Sequence, residues 1–323
     1  MGRSAGQTGI EIAVSSQQTT TVSDFDVPPA GAIGGAPERG WRDSMAPLLA
    51  NKLALLGAVL TIAFLITSIV GMAVIMLPSL NHLYLDQSLR DALLKPGEKG
   101  YLLGTDNLGR SLAWRLAAGT AVSLFAGFVV AILSITVGMI LGCLAGYRGG
   151  LTDRVIGFLI DLTWGFPVIL VAVILVGMLQ PGLWPVILAI SIVNWAGFAR
   201  IVRAQAMSLN ERAFVEAAHA LGVPGWKIVL RHLVPNMLGT VLVMASYYIA
   251  VTVIAEAGLA FIGLGAQPPT PSLGQMVSNG RSFLTSNPWV VFLPGLVLAL
   301  LVLGLNTLGD GLRDYFDPRL RRW

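Results

Sequence analysis

The sequence predicts an all-α membrane protein of six transmembrane helices, and three observations carry that reading. The 323 residues are 55% hydrophobic and only 12% charged, whereas a soluble domain holds about a quarter charged residues. Uncharged apolar runs recur along the chain, each long enough to cross the roughly 30 Å of hydrocarbon in a bilayer. The cations are also sorted: fifteen of the 21 Lys and Arg fall on one set of loops and ends, and six on the other. Excess Lys and Arg mark the cytoplasmic side, so both termini are expected in the cytoplasm of a multi-pass cell-membrane protein. The isoelectric point near 9.5 and mean hydropathy of +0.74 then report cationic loops at a lipid bilayer. They do not report a nucleic-acid surface.

Residues 1–51 are rich in Ser, Thr, Gln, Gly and Pro (Gln17-Gln18-Thr19-Thr20-Thr21, Pro28-Pro29, Gly34-Gly35) and lack apolar periodicity. Such a segment buries too little surface to offset chain entropy, so a disordered cytoplasmic tail is expected, and no signal-peptide pattern is present. The transmembrane domain is expected over 52–309. Its first span is 53–77, followed by a polar outer loop, 78–115. The second span, 116–147, carries Gly138, Gly142 and Gly146, a small-residue stripe suited to close helix packing. A short basic loop leads to the third span, 155–179, where Phe166-Pro167 should kink the helix because proline lacks an amide. Pro181-Gly182 signals a turn before the fourth span, 183–203. The fifth and sixth spans are 237–264 and 289–308, separated by a proline-rich outer loop, 265–288. A charged cytoplasmic tail, 310–323, closes the chain.

The rest is organised around 208–236, a polar and basic stretch between the fourth and fifth spans. Ser208 and Glu211 stand at capping-box spacing for a new helix. Ala213, Ala217 and Ala220 recur three and four apart and give one nearly flat helical face. Gly222 before Val223-Pro224 reads as a left-handed stop and a restart. Trp226, Val229, Leu230 and Leu233 then share one side of a second short helix, with Lys227 and Arg231 a turn apart elsewhere. Two short helices at a Gly-Pro corner make a docking knob.

Here the residues resemble a known family. Glu216-Ala217-Ala218, then Gly222, then Pro235 are similar to the EAA loop of ABC-importer permeases, with His232 and Val234 departing from its usual Ile and Leu. Leu103-Gly104-Thr105-Asp106 with Leu108-Gly109-Arg110, Ala255-Glu256-Ala257-Gly258-Leu259, Gln267-Pro268-Pro269-Thr270-Pro271-Ser272 and Asp317-Pro318-Arg319-Leu320-Arg321 extend the match. Together they resemble the C-type permease subunit of dipeptide, oligopeptide and nickel ABC transporters over 53–322. The resemblance implies a type I ABC importer permease fold whose 208–236 loop is a cytoplasmic coupling element seated on an ATPase. On it, Glu216, Ala217, Ala218, Gly222, Arg231 and Pro235 are the coupling residues. It implies a second permease subunit, two cytoplasmic ATPase subunits or domains, and an extracellular or periplasmic substrate-binding protein. Di- and oligopeptides are the implied cargo, with nickel or another small solute on the same machine as the alternative.

The chain's own chemistry fits a non-enzymatic subunit. It contains no G-x-x-x-x-G-K-[ST] phosphate loop and no HExxH, and its three histidines are scattered. No cofactor or metal is expected in this chain, and ATP and Mg belong to the partner ATPases. An ion-coupled secondary transporter is the rival from another class, but it predicts internal repeats and broken midplane helices and leaves the 208–236 loop unexplained. Within the spans Asp161, Asn194 and Glu256 are polar, and such residues face protein or water. They either line the translocation path or fix one helix on another, Asp161 and Glu256 through partners such as Arg200 or Asn194. Outside, Thr105, Asp106, Arg110, Gln267 and Pro268 either receive the binding protein or close the ends of the bundle.

Overall fold

The computed structural model describes residues 52–316. The tail expected over 1–51, and the Asp317–Arg321 motif with the rest of the second tail from 317 on, lie outside the described residues. Helices dominate the described chain, and its β structure is an isolated bridge between Thr105 and Ser111. Helix α1, Lys52–Met76, reproduces the first uncharged run. The outer loop that follows is built from short turns. Helix α2, Leu112–Arg148, has 37 residues; at about 1.5 Å per residue it outruns the hydrocarbon, and its ends project beyond it.

The third span is broken rather than kinked. Helix α3, Gly150–Trp164, and α4, Val168–Leu179, meet at 83°. Pro167 is extended and caps α4, while the amides of Gly165 and Phe166 turn back to Asp161, Leu162 and Thr163. Both helix ends thereby close independently, so one missing amide has become a full break. Helix α5 runs Leu183–Asn210, seven residues past its expected end at 203. Helix α6, Ala213–Ala220, is short. Helix α7 runs unbroken from Gly225 to Phe261, then α8 covers Leu273–Gly280 and α9 Trp289–Phe316. Among the described residues five helices are long and apolar enough to cross a membrane, six when the bent α3–α4 pair counts as one span; six is the number expected.

Helix α2 is the spine. Its glycine stripe lies on α5: a Cβ on Gly138 would stand 2.5 Å from Phe198 Cβ, on Gly142 2.7 Å from the Ala199 oxygen, and on Gly146 2.6 Å from Ala206 Cβ. Glycine is required there because the two backbones touch. A second cluster joins α2 to α7, α8 and α9 through Leu116, Leu124, Ile249, Val253, Leu273 and Leu301. A third sets Cys143 of α2 and Val202 and Ala206 of α5 against Val215, Ala218, Ile228, Leu233 and Met237. That third cluster is what holds the loop between α5 and α7 in place.

Candidate functional site

The loop from α5 to α7 is anchored by one face and open on the other. Val215 and Ala218, three apart on α6, are buried. Ala213, Glu216, Ala217 and Ala220 are exposed, so the small-residue face predicted for a partner points outward. The Glu216 carboxylate makes no hydrogen bond or ion pair among the described residues. The corner leaves it nothing to bond, because its amides are already used. Gly222 N–H donates to His219 O at 2.9 Å and Val223 N–H to Ala218 O at 3.1 Å, the paired bonds of a Schellman turn. Gly222 has φ +72°, and a Cβ there would meet no atom within 4 Å, so backbone conformation alone selects glycine.

Two expectations for this loop are corrected. Ser208 and Glu211 do not cap α6. Ser208 lies in the last turn of α5, and the extended residue before α6 is Arg212, whose carbonyl receives the amides of Val215 and Glu216. The span continued past its expected end and absorbed the cap. The second short helix is likewise not separate. Pro224 starts it, and the helix then continues into the fifth span through a π turn, Val229–Leu233. Pro235 lacks the amide that would bond Arg231 O. The π turn shifts the register just upstream, with Val234 N–H donating to Val229 O. Asn236 Nδ2 then takes up the His232 carbonyl at 2.6 Å. The one-sided apolar face divides accordingly: Leu233 is buried while Trp226 and Leu230 are 63% and 59% exposed. Arg231 and Pro235 are exposed. Tyr147, at the end of α2, stacks on His219 with centroids 5.8 Å apart and fills the space beside Gly225. Asp153 of α3 and Arg203 of α5, a pair the sequence reading missed, join through two bonds, one of them Arg203 Nη2 to Asp153 Oδ2 at 2.7 Å.

The polar residues of the spans are bonded to neighbouring helices. Glu256 is fully buried and accepts from Ser123 Oγ at 2.8 Å. Asn194 Nδ2 reaches Thr252 Oγ1 at 3.4 Å. Asp161 pairs with Arg200 at 2.6 Å, with both side chains well exposed, and the Arg200 guanidinium lies 4.2 Å from the Trp164 ring centroid. Arg200 was one of the partners anticipated for Asp161, whereas the Ser123 partner of Glu256 was not anticipated.

In the outer loop Thr105, Asp106 and Arg110 are buried, and they build the loop itself. Asp106 accepts from the amides of Leu108 and Arg110 and from Arg110 Nε, and Arg115 Nε lies 3.3 Å away. Thr105 Oγ1 accepts from Leu94 N–H and donates to Asp91 O. These three side chains offer no surface to a docking protein. Gln267 and Pro268 are exposed, and Gln267 Nε2 donates to Gly263 O and Gly265 O.

Sequence reasoning also missed an open pocket of about 660 Å³ between α5, α7 and α9, where Thr240, Tyr247, Tyr248, Asn306, Asp310 and Arg313 stand among the apolar Ile201, Val243 and Met244. Asn306 inside an otherwise apolar span was the available signal.

Known proteins agree with this geometry. Residues 138–322 match the family described as binding-protein-dependent transport system inner membrane component. The oligopeptide transport system permease protein OppC of Bacillus subtilis (strain 168) is 36% identical over 282 residues, covering 87% of this chain and 90% of that protein. The dipeptide transport system permease protein DppC of Haemophilus influenzae is 37% identical, covering 82% of this chain and 92% of its own length. The glutathione transport system permease protein GsiD of Pectobacterium atrosepticum is 35% identical over 87% and 92%. A solved inward-facing MetNI methionine ABC transporter superposes with a TM-score of 0.52 at 22% identity, covering 63% of this chain and 97% of the matched one, a likeness of fold. The outward alanine face, the left-handed Gly222 corner and the membrane bundle that carries them are therefore parts of a multi-pass permease, and the chain belongs to the family of inner membrane components of binding-protein-dependent transport systems.

Proposed function

We propose that this chain is the permease half of an ATP-driven importer of di- and oligopeptides, coupled to its ATPases through α6 and the Gly222 corner. The observation that carries the reading is the outward face of α6. Ala213, Ala217 and Ala220 are exposed beside a Glu216 carboxylate that has no partner among the described residues, on a helix whose opposite side is locked by Val215 and Ala218. A rigid knob with a flat face and a single carboxylate suits a preformed groove on a moving partner. Arg231 and Pro235, at the start of the following helix, are exposed as well. A cation excess on that side supports placing the knob and both termini in the cytoplasm. Peptide cargo is supported by the oligopeptide, dipeptide and glutathione permeases among the relatives.

In this reading ATP and Mg bind two partner ATPase subunits, a second permease subunit completes the path, and a soluble binding protein delivers the peptide, with exposed Gln267 and Pro268 in its landing area. The chain itself catalyses no reaction. It converts ATPase closure into rotation of α5 and α7, to which α6 is tied at both ends.

The test is ATP hydrolysis and dipeptide uptake in vesicles carrying the co-purified complex, comparing the parent with Glu216→Ala and Gly222→Asp. Variants that assemble yet lose ATP-dependent uptake support the coupling role. Uptake that persists without an ATPase and follows an ion gradient overturns it. Coupled hydrolysis without dipeptide uptake removes the peptide and keeps the machine.

A further inference from the structure

We infer that the pocket between α5, α7 and α9 is this chain's wall of the translocation path, and that it takes the amide backbone of a peptide in transit. The inference rests on the peptide-importer reading and adds the residues that meet the cargo.

The polar candidates apparent in the sequence are already occupied. Glu256 is engaged by Ser123, Asn194 by Thr252 and Asp161 by Arg200. The pocket residues differ in that they gather at one open place, with Tyr247, Asp310 and Arg313 exposed and Thr240, Tyr248 and Asn306 partly so. Tyr247 is 57% exposed and Asn306 partly so, both within runs of apolar residues. A polar side chain at that depth faces protein or water rather than lipid. This chain leaves the pocket open, so its cover is water and the rest of the assembly.

Its shape and chemistry name the ligand class. Thr240, Tyr247 and Tyr248 fall within about 12 Å along α7, opposite Asn306, Asp310 and Arg313 on successive turns of α9. Tyr248 is fixed, with its ring 4.3 Å from Phe198 and its hydroxyl against Gly197. Tyr247 stands edge-on to it at 5.7 Å. The Thr240 hydroxyl already accepts from Gln205 Nε2 at 2.7 Å; the tyrosine hydroxyls and the Asn306 carboxamide both donate and accept, so they match peptide N–H and C=O groups whatever the side chains. The tyrosine rings offer apolar faces to those side chains. One carboxylate and one guanidinium at the end of α9 are complementary to a zwitterion and leave the wall neutral. The lining holds no imidazole, and no thiol stands beside its single carboxylate, a poor set for a transition-metal ion.

The experiment uses the assembled complex in vesicles, with single cysteines placed as Tyr247→Cys and Asn306→Cys. Ile69→Cys on α1, 69% exposed on an apolar face, is the control. The parent's one cysteine, Cys143, is buried and sets the background. A charged maleimide is applied to both sides. The two pocket cysteines are expected to label at least about tenfold faster than Ile69→Cys, since water reaches polar paths and not lipid-facing surface. Labelling should slow several-fold while dipeptide is being transported. Labelling no faster than the control overturns the wall. Fast labelling that dipeptide does not slow, in a parent complex that hydrolyses ATP and imports dipeptide, overturns the peptide contact alone. A parent complex that assembles but never couples hydrolysis to uptake overturns the importer reading underneath it.

Discussion

Ser123 of α2 donates a hydrogen bond of 2.8 Å to Glu256 of α7, and both residues are fully buried. The bond ties the spine helix to the span that continues from the coupling corner. Breaking it from one side strands a polar group in an apolar interior, at a cost of about 1–3 kcal/mol. Ser123→Ala and Glu256→Leu should each lower the thermal midpoint of the purified complex by several degrees, whereas Glu256→Gln keeps an acceptor and costs less. The double variant Ser123→Ala/Glu256→Leu should be less damaging than the two singles combined, because both stranded groups are gone. Strict additivity in that cycle would show that the pair does not act together.

Asp106 and Asp161 are both paired with arginine, and burial makes them unequal. Asp106 is 7% exposed and serves Arg110 and Arg115, at 10% and 4%. Removing its charge leaves two buried cations facing each other, so Asp106→Ala is expected to cost about 3–5 kcal/mol. The Asp161–Arg200 pair is 73% and 43% exposed, and Asp161→Ala should cost no more than about 1 kcal/mol. Thermal unfolding of the two variants side by side measures the contrast. Equal losses would place Asp161 in a tighter environment than its exposure indicates.

The spans were legible because a bilayer demands long uncharged runs, and α1 and α2 follow those runs closely, while α9 continues eight residues past its expected end at 308. The Gly222 corner was legible because few residues but glycine adopt φ +72°. Helix ends were not. Nothing in Ala204-Gln205-Ala206-Met207 stops a helix, so α5 passed through the apparent cap at Ser208, and nothing after Pro224 separates the second short helix from α7. The buried role of Asp106 was hidden because its partner Arg115 sits on the next element, and loop residues with turn-forming neighbours look exposed in one dimension. The pocket of Tyr247 and Asn306 depends on helices more than fifty residues apart in the chain, which periodicity within one helix cannot report.

The outer loop carries a pH dependence with a definite sign. The Lys99 ammonium, and after it the Ser88 hydroxyl, hold the Asp91 carboxyl below its ordinary value of 3.8. Asp91 in turn raises Lys99 above its ordinary 10.5. The carboxylate therefore stabilises the loop above the ordinary Asp range, and that contribution is lost as pH falls through the folded value. The lysine contribution is present below 10.5 and is lost as pH rises through its own folded value. The protection of the loop amides against hydrogen exchange, taken relative to the intrinsic base-catalysed rate at each pH, should be steady across neutral pH and fall at the acid limit. Asp91→Asn should abolish that acid step, and added salt should weaken it, since Lys99 is largely exposed. An acid step that survives Asp91→Asn would assign it to another group.

Gly142 tests whether the α2–α5 seam is a fixed contact. A Cβ at this position would come within 2.7 Å of Ala199 O and 2.8 Å of Val202 Cβ, where backbone and a β-branched side chain cannot retreat easily. Overpacking of this kind costs about 1–3 kcal/mol. Gly142→Ala should lower the thermal midpoint, and Gly142→Leu should reduce the yield of assembled complex. Gly177 on α4 has nothing within 4 Å of an added Cβ, so Gly177→Ala is the matched control and should be neutral or slightly stabilising through helix propensity. If α5 carries the coupling motion as a body with α2, a complex that tolerates Gly142→Ala should keep its ratio of uptake to ATP hydrolysis while losing stability. A lowered ratio at unchanged stability would mean that the two helices slide along this seam during transport.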